Sequence, residues 1–297
     1  MKKILLLGSR GRLGAALARK WTTGNEVHAL SRAEADVGDS DSLRRVLESY
    51  EYDVLVNCTG ATSLEQCEEN PDLAHQVNAR APQVMAEAAS AAGARLIHFS
   101  TDYVFDGLLD RPYTETDVPN PLSDYGKTKL LGEMAVTNTP GDHLSVRVSW
   151  VFGPDKPSFI DMILSRSLAG QNLEAVADKT SCPTFSEDVA DWLAPFLSAG
   201  LPGGILHACN SGTASWQEYG QAAVDIAGQL GWPVVSRTVN PIALASVAAF
   251  RASRPPHTPM DCSRLENLTK IRPRPWREAL ESYMKDAGGP ARWVTPA

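Results

Sequence analysis

Residues 3–21 read KILLLGSRGRLGAALARKW: a short apolar run, three evenly spaced glycines and then a helical pattern. The run predicts a buried strand and the later segment a helix. Gly8, Gly11 and Gly14 lie at the turn between them, where a missing side chain permits a tight bend and lets a pyrophosphate approach the helix N-terminus. The spacing is G-x-x-G-x-x-G, whereas many dehydrogenases have G-x-G-x-x-G. In this strand–loop–helix context, the stretch favours a nucleotide-binding loop over a turn that only packs.

The same alternation of apolar runs and helical patterns continues through the first half of the chain. The successive segments are EVHALS, DSDSLRRVLESY, DVLVNCTG, LAHQVNARAPQVMAEAASAAG, RLIHFSTDYVF, DYGKTKLLGEMAV and HLSVRVSWVFG. Strand and helix repeating in this way predict an α/β protein with a Rossmann-type, doubly wound parallel sheet. After about residue 153 the alternation weakens and prolines accumulate, which predicts a smaller, mixed α/β domain towards the C-terminus.

We therefore expect two domains. The stretch GILHACN at 204–210 has the character of a buried strand that returns to the main sheet. The dinucleotide-binding domain would then take residues 1–152 plus about 184–212. Residues from about 153 to 183 and from 213 to 297 would form the domain that binds substrate.

Composition narrows the possible partners of the chain. Its 297 residues are 43% hydrophobic and 21% charged, as in an ordinary globular protein, and the formal net charge is −7. The sequence has no run of lysine and arginine that could bind along a phosphate backbone, so nucleic acid is not an expected partner. The apolar run before Gly8 is too short for a signal peptide or a membrane span. Five scattered cysteines predict reduced thiols, a cytoplasmic location and no metal site.

The end of the second strand bears on cofactor choice. NAD-specific folds carry an acidic residue there for the ribose 2′-hydroxyl, and this chain has Ser31 and Arg32 instead. A hydroxyl and an arginine suit a 2′-phosphate, so NADPH is the predicted cofactor, with NADH possible. Arg32 stacking on adenine or pointing to water is the alternative. Asp36 and Val37 follow in a loop that would flank the adenine, although Asp36 would also serve as a helix cap.

The stretch DYGKTKLLGE at 124–133 is the candidate catalytic motif. It places Tyr125 and Lys129 four positions apart on one helix face, whereas Lys127 points elsewhere. Alone, such a pair is usually a solvated surface pair. Here the strand RLIHFSTDYVF ends in Ser100 and Thr101, and a hydroxyl at a strand's carboxyl end can hold a substrate carbonyl. We expect Lys129 to lower the pKa of Tyr125, so that the phenol protonates a carbonyl oxygen as hydride reaches the carbon.

Motifs along nearly the whole chain resemble one known family. They are GSRGRLG, STDYVFDG, PYTETDVPNPLSDYGKTKLLGE, RVSWVFG, CPTFSEDVA, SWQEYG and RPPHTPMD. Together they look like dTDP-4-dehydrorhamnose reductases, a branch of the extended short-chain dehydrogenase/reductases. This resemblance implies a sugar-nucleotide substrate, bound by the C-terminal domain, and an NAD(P)H-dependent 4-ketoreductase.

The resemblance also implies roles for individual residues. The implied catalytic residues are Thr101, Tyr125 and Lys129. The implied pyrophosphate-binding residues are Gly8, Gly11, Arg12, Leu13 and Gly14. Beside them, the sequence itself places Ser31, Arg32, Asp36, Val37, Thr59, Gly60, Ala61, Tyr125 and Lys129 along the rest of the dinucleotide. The implied substrate-binding residues are Thr62, Thr101, Asp102, Trp150 against the sugar, Thr184 beside Pro183 in the wall between domains, and Arg254 near the nucleotide diphosphate.

Two positions depart from the family pattern. Ala61 stands where a tyrosine is frequent, and Ser158 stands where an asparagine is frequent. Both bear on the exact substrate. A nucleotide-sugar epimerase remains an alternative, as does a non-catalytic regulatory subunit like the methionine adenosyltransferase β subunit. A dehydratase is disfavoured, because Asp102-Tyr103 replaces its Asp-Glu pair. The expected partner is a small nucleotide sugar, and a homodimer is left open.

Overall fold

The computed structural model describes residues 1–294, and its first elements are a strand, β1 (Lys3–Leu7), and a helix, α1 (Arg12–Trp21). The turn between them depends on Gly8, whose φ is +86°, a value that side chains rarely permit. A Cβ on Gly8 would meet the Cys58 carbonyl carbon at 2.9 Å. The backbone can therefore bend sharply and pack against the next strand only because this residue is glycine.

Six parallel strands form the central sheet in the order β10-β5-β4-β3-β1-β2. The order reverses between β1 and β3, and ligands of such sheets bind at this switch point, beyond the carboxyl ends of the strands. The predicted return of the late strand to the main sheet is confirmed. The other strands of this sheet are β2 (Glu26–Leu30), β3 (Val54–Asn57), β4 (Arg95–Thr101), β5 (Leu144–Val148) and β10 (Gly204–His207).

Helices cover both faces of the sheet because alternate residues of β1 point in opposite directions. Ile4 and Leu6 pack on the side of α1 and α8, whereas Leu5 and Leu7 pack on the side of α2 and α5. The doubly wound Rossmann-type fold class is thereby confirmed. The helices of these layers are α2 (Ser40–Glu48), α3 (Leu64–Glu69), α4 (Pro71–His75), α5 (Ala81–Ala91), α6 (Asp124–Asn138), α8 (Ser186–Ala199) and α10 (Ser263–Thr269).

A second hydrophobic core lies among the remaining elements and is rich in aromatic rings, including Phe152, Tyr219, Trp276 and Tyr283. Its strands are short and pair as β6 with β9, β7 with β12 and β8 with β11. The helices are α7 (Phe159–Leu168), α9 (Trp216–Gln229), α11 (Trp276–Asp286) and α12 (Ala291–Val294). The strands are β6 (Val151–Phe152), β7 (Leu173–Val176), β8 (Thr180–Ser181), β9 (Thr184–Phe185), β11 (Ala214–Ser215) and β12 (Val239–Ile242).

Among residues 1–294, no helix combines the length and apolar character needed to cross a membrane. Within the same range, no group of three or more histidine, cysteine or acidic side chains could hold a metal ion. The five cysteines are free thiols.

Candidate active site

Two cavities open side by side beyond the carboxyl ends of the central strands. The first, the glycine-loop cleft, has a volume of about 390 Å³ and reaches from Gly11 and Leu13 to Lys129. The second, the aromatic cavity, has a volume of about 740 Å³ and contains Trp150, Phe159 and Trp216 in its wall. The glycine-loop cleft is further lined by Arg12, Cys58, Thr59, Gly60, Thr62, Phe99, Ser100, Thr101, Tyr125, Val148, Trp150, Val151 and Lys156.

The predicted catalytic residues lie where these cavities meet. Thr101 and Tyr125 border both cavities, whereas Lys129 borders only the glycine-loop cleft and Asp102 only the aromatic cavity. A group bound in one cavity and a group bound in the other would therefore both reach the Tyr125 phenol. Thr62, predicted to contact substrate, also borders both.

Tyr125 lies in the first turn of α6, which Ser123 caps by accepting a hydrogen bond from the Gly126 amide at 3.2 Å. Burial raises the pKa of Tyr125, while a hydrogen bond with Thr101 acts in the opposite direction. The expectation that Lys129 brings this pKa down is therefore wrong here, because removal of the phenolate from water is the larger effect. The phenol thus keeps its proton at neutral pH, as a proton donor must.

Lys129 lies one turn further along α6, and its ammonium donates to the Phe99 carbonyl oxygen at 2.6 Å. Burial lowers the pKa of Lys129 to about 8, and the nearby Glu133 acts against this shift. Glu133 is itself engaged by Arg147 in a buried pair, with N···O distances of 2.8 and 2.7 Å. Lys129 is thus a fixed donor at the floor of the glycine-loop cleft.

Behind Thr101 lies a buried network that sequence reasoning did not find. The Thr101 hydroxyl donates to Asp102 Oδ1 at 3.2 Å. The other carboxylate oxygen accepts from the hydroxyls of Ser181, at 2.9 Å, and Thr258, at 2.6 Å. Since these residues come from distant parts of the chain, no local spacing signals the contact. The network fixes Asp102 against the wall of the aromatic cavity.

The glycine loop fits the diphosphate of a dinucleotide. The N-terminus of α1 begins at Gly11, which provides no side-chain cap, and no acidic residue lies in the first turn. Its free N–H groups and the helix dipole favour an anion. Gly14 allows the close packing, since a Cβ there would collide with the Gly8 carbonyl oxygen. The residues present therefore suit the cofactor that the fold implies.

The Arg12 side chain connects the start of α1 to a distant part of the chain. Its guanidinium donates to the carbonyl oxygens of Val151 at 2.8 Å, Lys156 at 3.0 Å and Pro157 at 2.5 Å. Arg12 is also the first residue of α1 and lines the glycine-loop cleft, so its predicted place at the pyrophosphate stays a prediction. Carbonyls more than 130 residues away in the chain occupy the guanidinium, and burial lowers the pKa of Arg12.

Two buried asparagines shape the far wall of the glycine-loop cleft, and sequence reasoning missed both. Asn57 Oδ1 accepts from the amide and hydroxyl of Thr59 at 2.9 and 2.6 Å. Asn78 bonds both backbone groups of Ala61, each at 2.9 Å, from a π-helical segment at Gln76–Arg80. Thr59 and Gly60 reach the cleft as predicted, whereas Ala61 is turned to Asn78 and is not in the lining.

The residues predicted to read the adenosine end lie outside the lining of both cavities. Ser31 bonds Glu34, its amide at 2.8 Å and its hydroxyl at 2.7 Å, and these bonds lower the pKa of Glu34. The Arg32 side chain is 85% exposed and lies 3.8 Å from Asp36. Val37 is buried in the core. The contact of these residues with a cofactor stays a prediction, and Glu34 is a neighbour that sequence reasoning missed.

Trp150 carries both strain and an unused donor. Its φ of +42° is rare for a residue with a side chain, and strain of this kind is concentrated at functional sites. Its indole N–H and the Tyr219 hydroxyl are buried without a hydrogen-bond partner among residues 1–294. Both side chains border the aromatic cavity. The predicted place of Trp150 at the substrate therefore agrees with the geometry.

Two predicted substrate contacts are not at the cavity surface. Thr184 is fully buried, and its amide donates to the Trp150 carbonyl at 3.3 Å, so it supports the wall from behind. Arg254 pairs with Glu65 at 2.8 Å and lies 3.7 Å from the Phe250 ring centroid. Phe250 borders the aromatic cavity and Arg254 does not. Glu65 engages the guanidinium, and the contact of Arg254 with the nucleotide diphosphate stays a prediction.

Residues 1–288 match the family model of the RmlD substrate binding domain. The chain belongs to this family. Its membership confirms the resemblance that the motifs predicted. The chain is 34% identical over 287 residues to the spore coat polysaccharide biosynthesis protein SpsK of Bacillus subtilis, covering 96% of this chain and 98% of that protein.

Two further relatives carry the reductase name. A dTDP-4-dehydrorhamnose reductase of Burkholderia thailandensis is 32% identical over 299 residues, with 96% of this chain and 98% of the relative covered. The crystal structure of a dTDP-4-dehydrorhamnose reductase from Clostridium acetobutylicum superposes with a TM-score of 0.88 at 29% identity, covering 96% and 99% of the two chains. The similarity to these relatives therefore extends over nearly the whole length of each chain.

Proposed function

We propose that this protein is an NAD(P)H-dependent 4-ketoreductase of a nucleotide-linked deoxysugar, with dTDP-4-dehydrorhamnose as the expected substrate. One observation carries the proposal: Thr101 and Tyr125 stand at the junction of the glycine-loop cleft and the aromatic cavity. A reductase must bring a dinucleotide and a ketone together at a proton donor, and this junction is suited to that task. Family membership and the names of the relatives support the same reaction.

The reaction assigns each residue a task. Bound NADPH, or NADH, supplies a hydride. Tyr125 Oη gives its proton to the carbonyl oxygen of the sugar, and the Thr101 hydroxyl orients that oxygen. Lys129 holds the nicotinamide ribose and keeps positive charge beside the phenol as it loses its proton. Trp150 packs its indole face on the C–H surface of the sugar.

Substrate binding fits the character of the aromatic cavity. Rings of Trp150, Phe159, Trp216 and Phe250 line it, which suits a deoxysugar and a nucleobase. We propose residues 1–152 with about 184–212 as the dinucleotide-binding domain and the remainder as the sugar-nucleotide domain, except that α10 packs with the dinucleotide-binding domain. A cytoplasmic location and a homodimer stay predictions, which cell fractionation and size-exclusion chromatography would test.

The test is oxidation of NADPH in the presence of dTDP-4-keto-6-deoxy-L-mannose, followed by identification of the sugar product. We expect turnover and a product reduced at C4. Tight dinucleotide binding with no turnover would favour the regulatory-subunit alternative. Interconversion of two sugar nucleotides without net oxidation of NADPH would favour the epimerase.

A further inference from the structure

A short segment of the chain, Gly153–Ser158, passes beside the start of α1 and is firmly attached to it. We name this segment the strap. Arg12 donates to the backbone oxygens of Lys156 and Pro157, as described above. Arg19, seven residues later and on the same helix face, forms a two-pronged pair with Asp155 at 2.8 and 3.0 Å. From the other side, Arg292 donates to the Pro154 carbonyl at 2.6 Å. The strap backbone is thus fixed before any ligand arrives.

The attachment has a consequence for charge at the glycine loop. Each guanidinium nitrogen of Arg12 donates to a carbonyl oxygen, so three of its five N–H groups are already engaged. A second cation of the cleft, Lys129, donates to the Phe99 carbonyl oxygen. A free cation for the diphosphate must therefore come from a third residue of the lining.

Lys156 meets this requirement. It borders the glycine-loop cleft together with Gly11 and Leu13 at the head of α1. Its side chain is exposed, and within the described residues its ammonium forms no ion pair or hydrogen bond. It does not border the aromatic cavity, so its reach is towards the glycine loop and away from the sugar site. Because Arg12 holds its backbone, only the side chain remains to be ordered when an anion binds.

We propose that Lys156 is the cation that closes over the diphosphate of the bound dinucleotide, and that Arg12 is the positioning residue that places it there. The inference rests on the proposed function, since it assumes a dinucleotide in the glycine-loop cleft. Both NADH and NADPH have this diphosphate, so Lys156 stabilises both equally. The 2′-phosphate, which only NADPH has, belongs to the end of β2.

The experiment measures dissociation constants of NADH and NADPH by fluorescence titration for wild type, Lys156→Met, Lys156→Arg and a control, Lys127→Met. Lys127 is an exposed lysine of α6 that pairs with Asp124 at 3.0 Å, outside both cavities. We expect Lys156→Met to weaken both cofactors about tenfold, the scale of one charge-assisted contact. Lys156→Arg should retain most of the affinity, and Lys127→Met all of it. The Lys156→Met affinity should also depend less on salt.

Three results would overturn the inference: unchanged affinities in Lys156→Met, a loss confined to NADPH, or an equal loss in Lys127→Met. The first would make Lys156 a solvated surface lysine, and the second would place it at the 2′-phosphate. Failure of the proposed function has a different signature, because then wild type itself would bind neither dinucleotide or would bind without turnover. The KM for the sugar nucleotide at saturating cofactor should be the same in wild type and Lys156→Met.

Discussion

Two buried tyrosine–lysine pairs are neighbours, because their tyrosine rings contact each other. Only one of the pairs is placed for catalysis. Tyr125 and Lys129 form the cleft pair. Tyr103 and Lys179 form the second pair, with the Lys179 ammonium 4.7 Å from the Tyr103 ring centroid. The two tyrosine rings meet edge to face at 5.7 Å. Each ammonium donates to one carbonyl at 2.6 Å, Lys129 to Phe99 and Lys179 to Pro255.

Electrostatics alone would not tell the two pairs apart. Burial lowers the pKa of each lysine to about 8 and raises the pKa of each tyrosine. The difference is access: Lys129 borders the glycine-loop cleft, whereas Lys179 is fully buried and borders neither cavity. A shifted pKa therefore indicates burial, and only its combination with an open cleft indicates catalysis.

Among substitutions in the two pairs, Lys129→Ala is expected to have the largest effect on activity. The change removes a donor to the nicotinamide ribose and the charge that stabilises the departing phenolate. Turnover per bound cofactor and cofactor affinity should both fall, together by roughly a thousandfold in kcat/KM, within the usual range for positioned acid–base groups. Steady-state kinetics in both substrates separates the two losses. Full affinity in this variant would remove Lys129 from the cofactor site.

The second prediction concerns pH. Only the ammonium form of Lys129 donates all its hydrogen bonds, and its pKa is about 8. NADPH should therefore bind more weakly as the pH rises above about 8, and Lys129→Met should bind weakly without this dependence. Lys179→Met should retain the wild-type profile. Titrations from pH 6 to about 9.5 would check this. A profile abolished by Lys179→Met instead would reverse the roles of the two lysines.

The third prediction concerns stability. Replacing Lys179 should change the free energy of unfolding and leave cofactor binding unchanged. Burial lowers its folded pKa to about 8, below the ordinary lysine value of 10.5, so between these values the unfolded state binds more protons. Wild-type stability should rise across this window relative to Lys179→Met, by on the order of 3 kcal/mol. Urea unfolding at several pH values measures the difference. A difference that does not change with pH would mean that burial does not lower the pKa of Lys179.

The smallest effect is expected for Lys127→Ala. Lys127 lies two residues from Tyr125 and two from Lys129, but the helix turns it outward to pair with Asp124. Exposed pairs of this kind contribute roughly 0–1 kcal/mol, so kinetics and stability should stay close to wild type. A loss comparable to that of Lys129→Ala would show that the helical face has been assigned wrongly.

The comparison also explains what the sequence could predict. Tyr125 and Lys129 are four residues apart on one helix, so their spacing alone puts them together. The glycine loop is equally local, and it predicted the first strand, the turn and the first helix. The strand alternation predicted the sheet, including the late return of β10. In each case the decisive signal lies within a few residues of the chain.

The parts that escaped prediction depend on long-range contacts. Asp102 is held by Ser181 and Thr258, 79 and 156 residues further along the chain. The side-chain partners of Arg12 and Arg254 escaped prediction for the same reason. Each finds a distant partner, backbone carbonyls in one case and Glu65 in the other. The pKa of Tyr125 was misjudged because spacing reveals a neighbouring charge but not the degree of burial.

Tyr125→Phe tests the central claim most directly, because it keeps the ring, its packing on Tyr103 and the fold, and removes only the proton that the reaction needs. The measurement is steady-state NADPH oxidation with dTDP-4-keto-6-deoxy-L-mannose, with NADPH affinity determined separately by fluorescence. We predict that turnover falls about a hundredfold or more while NADPH affinity stays at the wild-type value. Turnover at the wild-type rate would contradict the account, because the proton would then come from a group other than Tyr125.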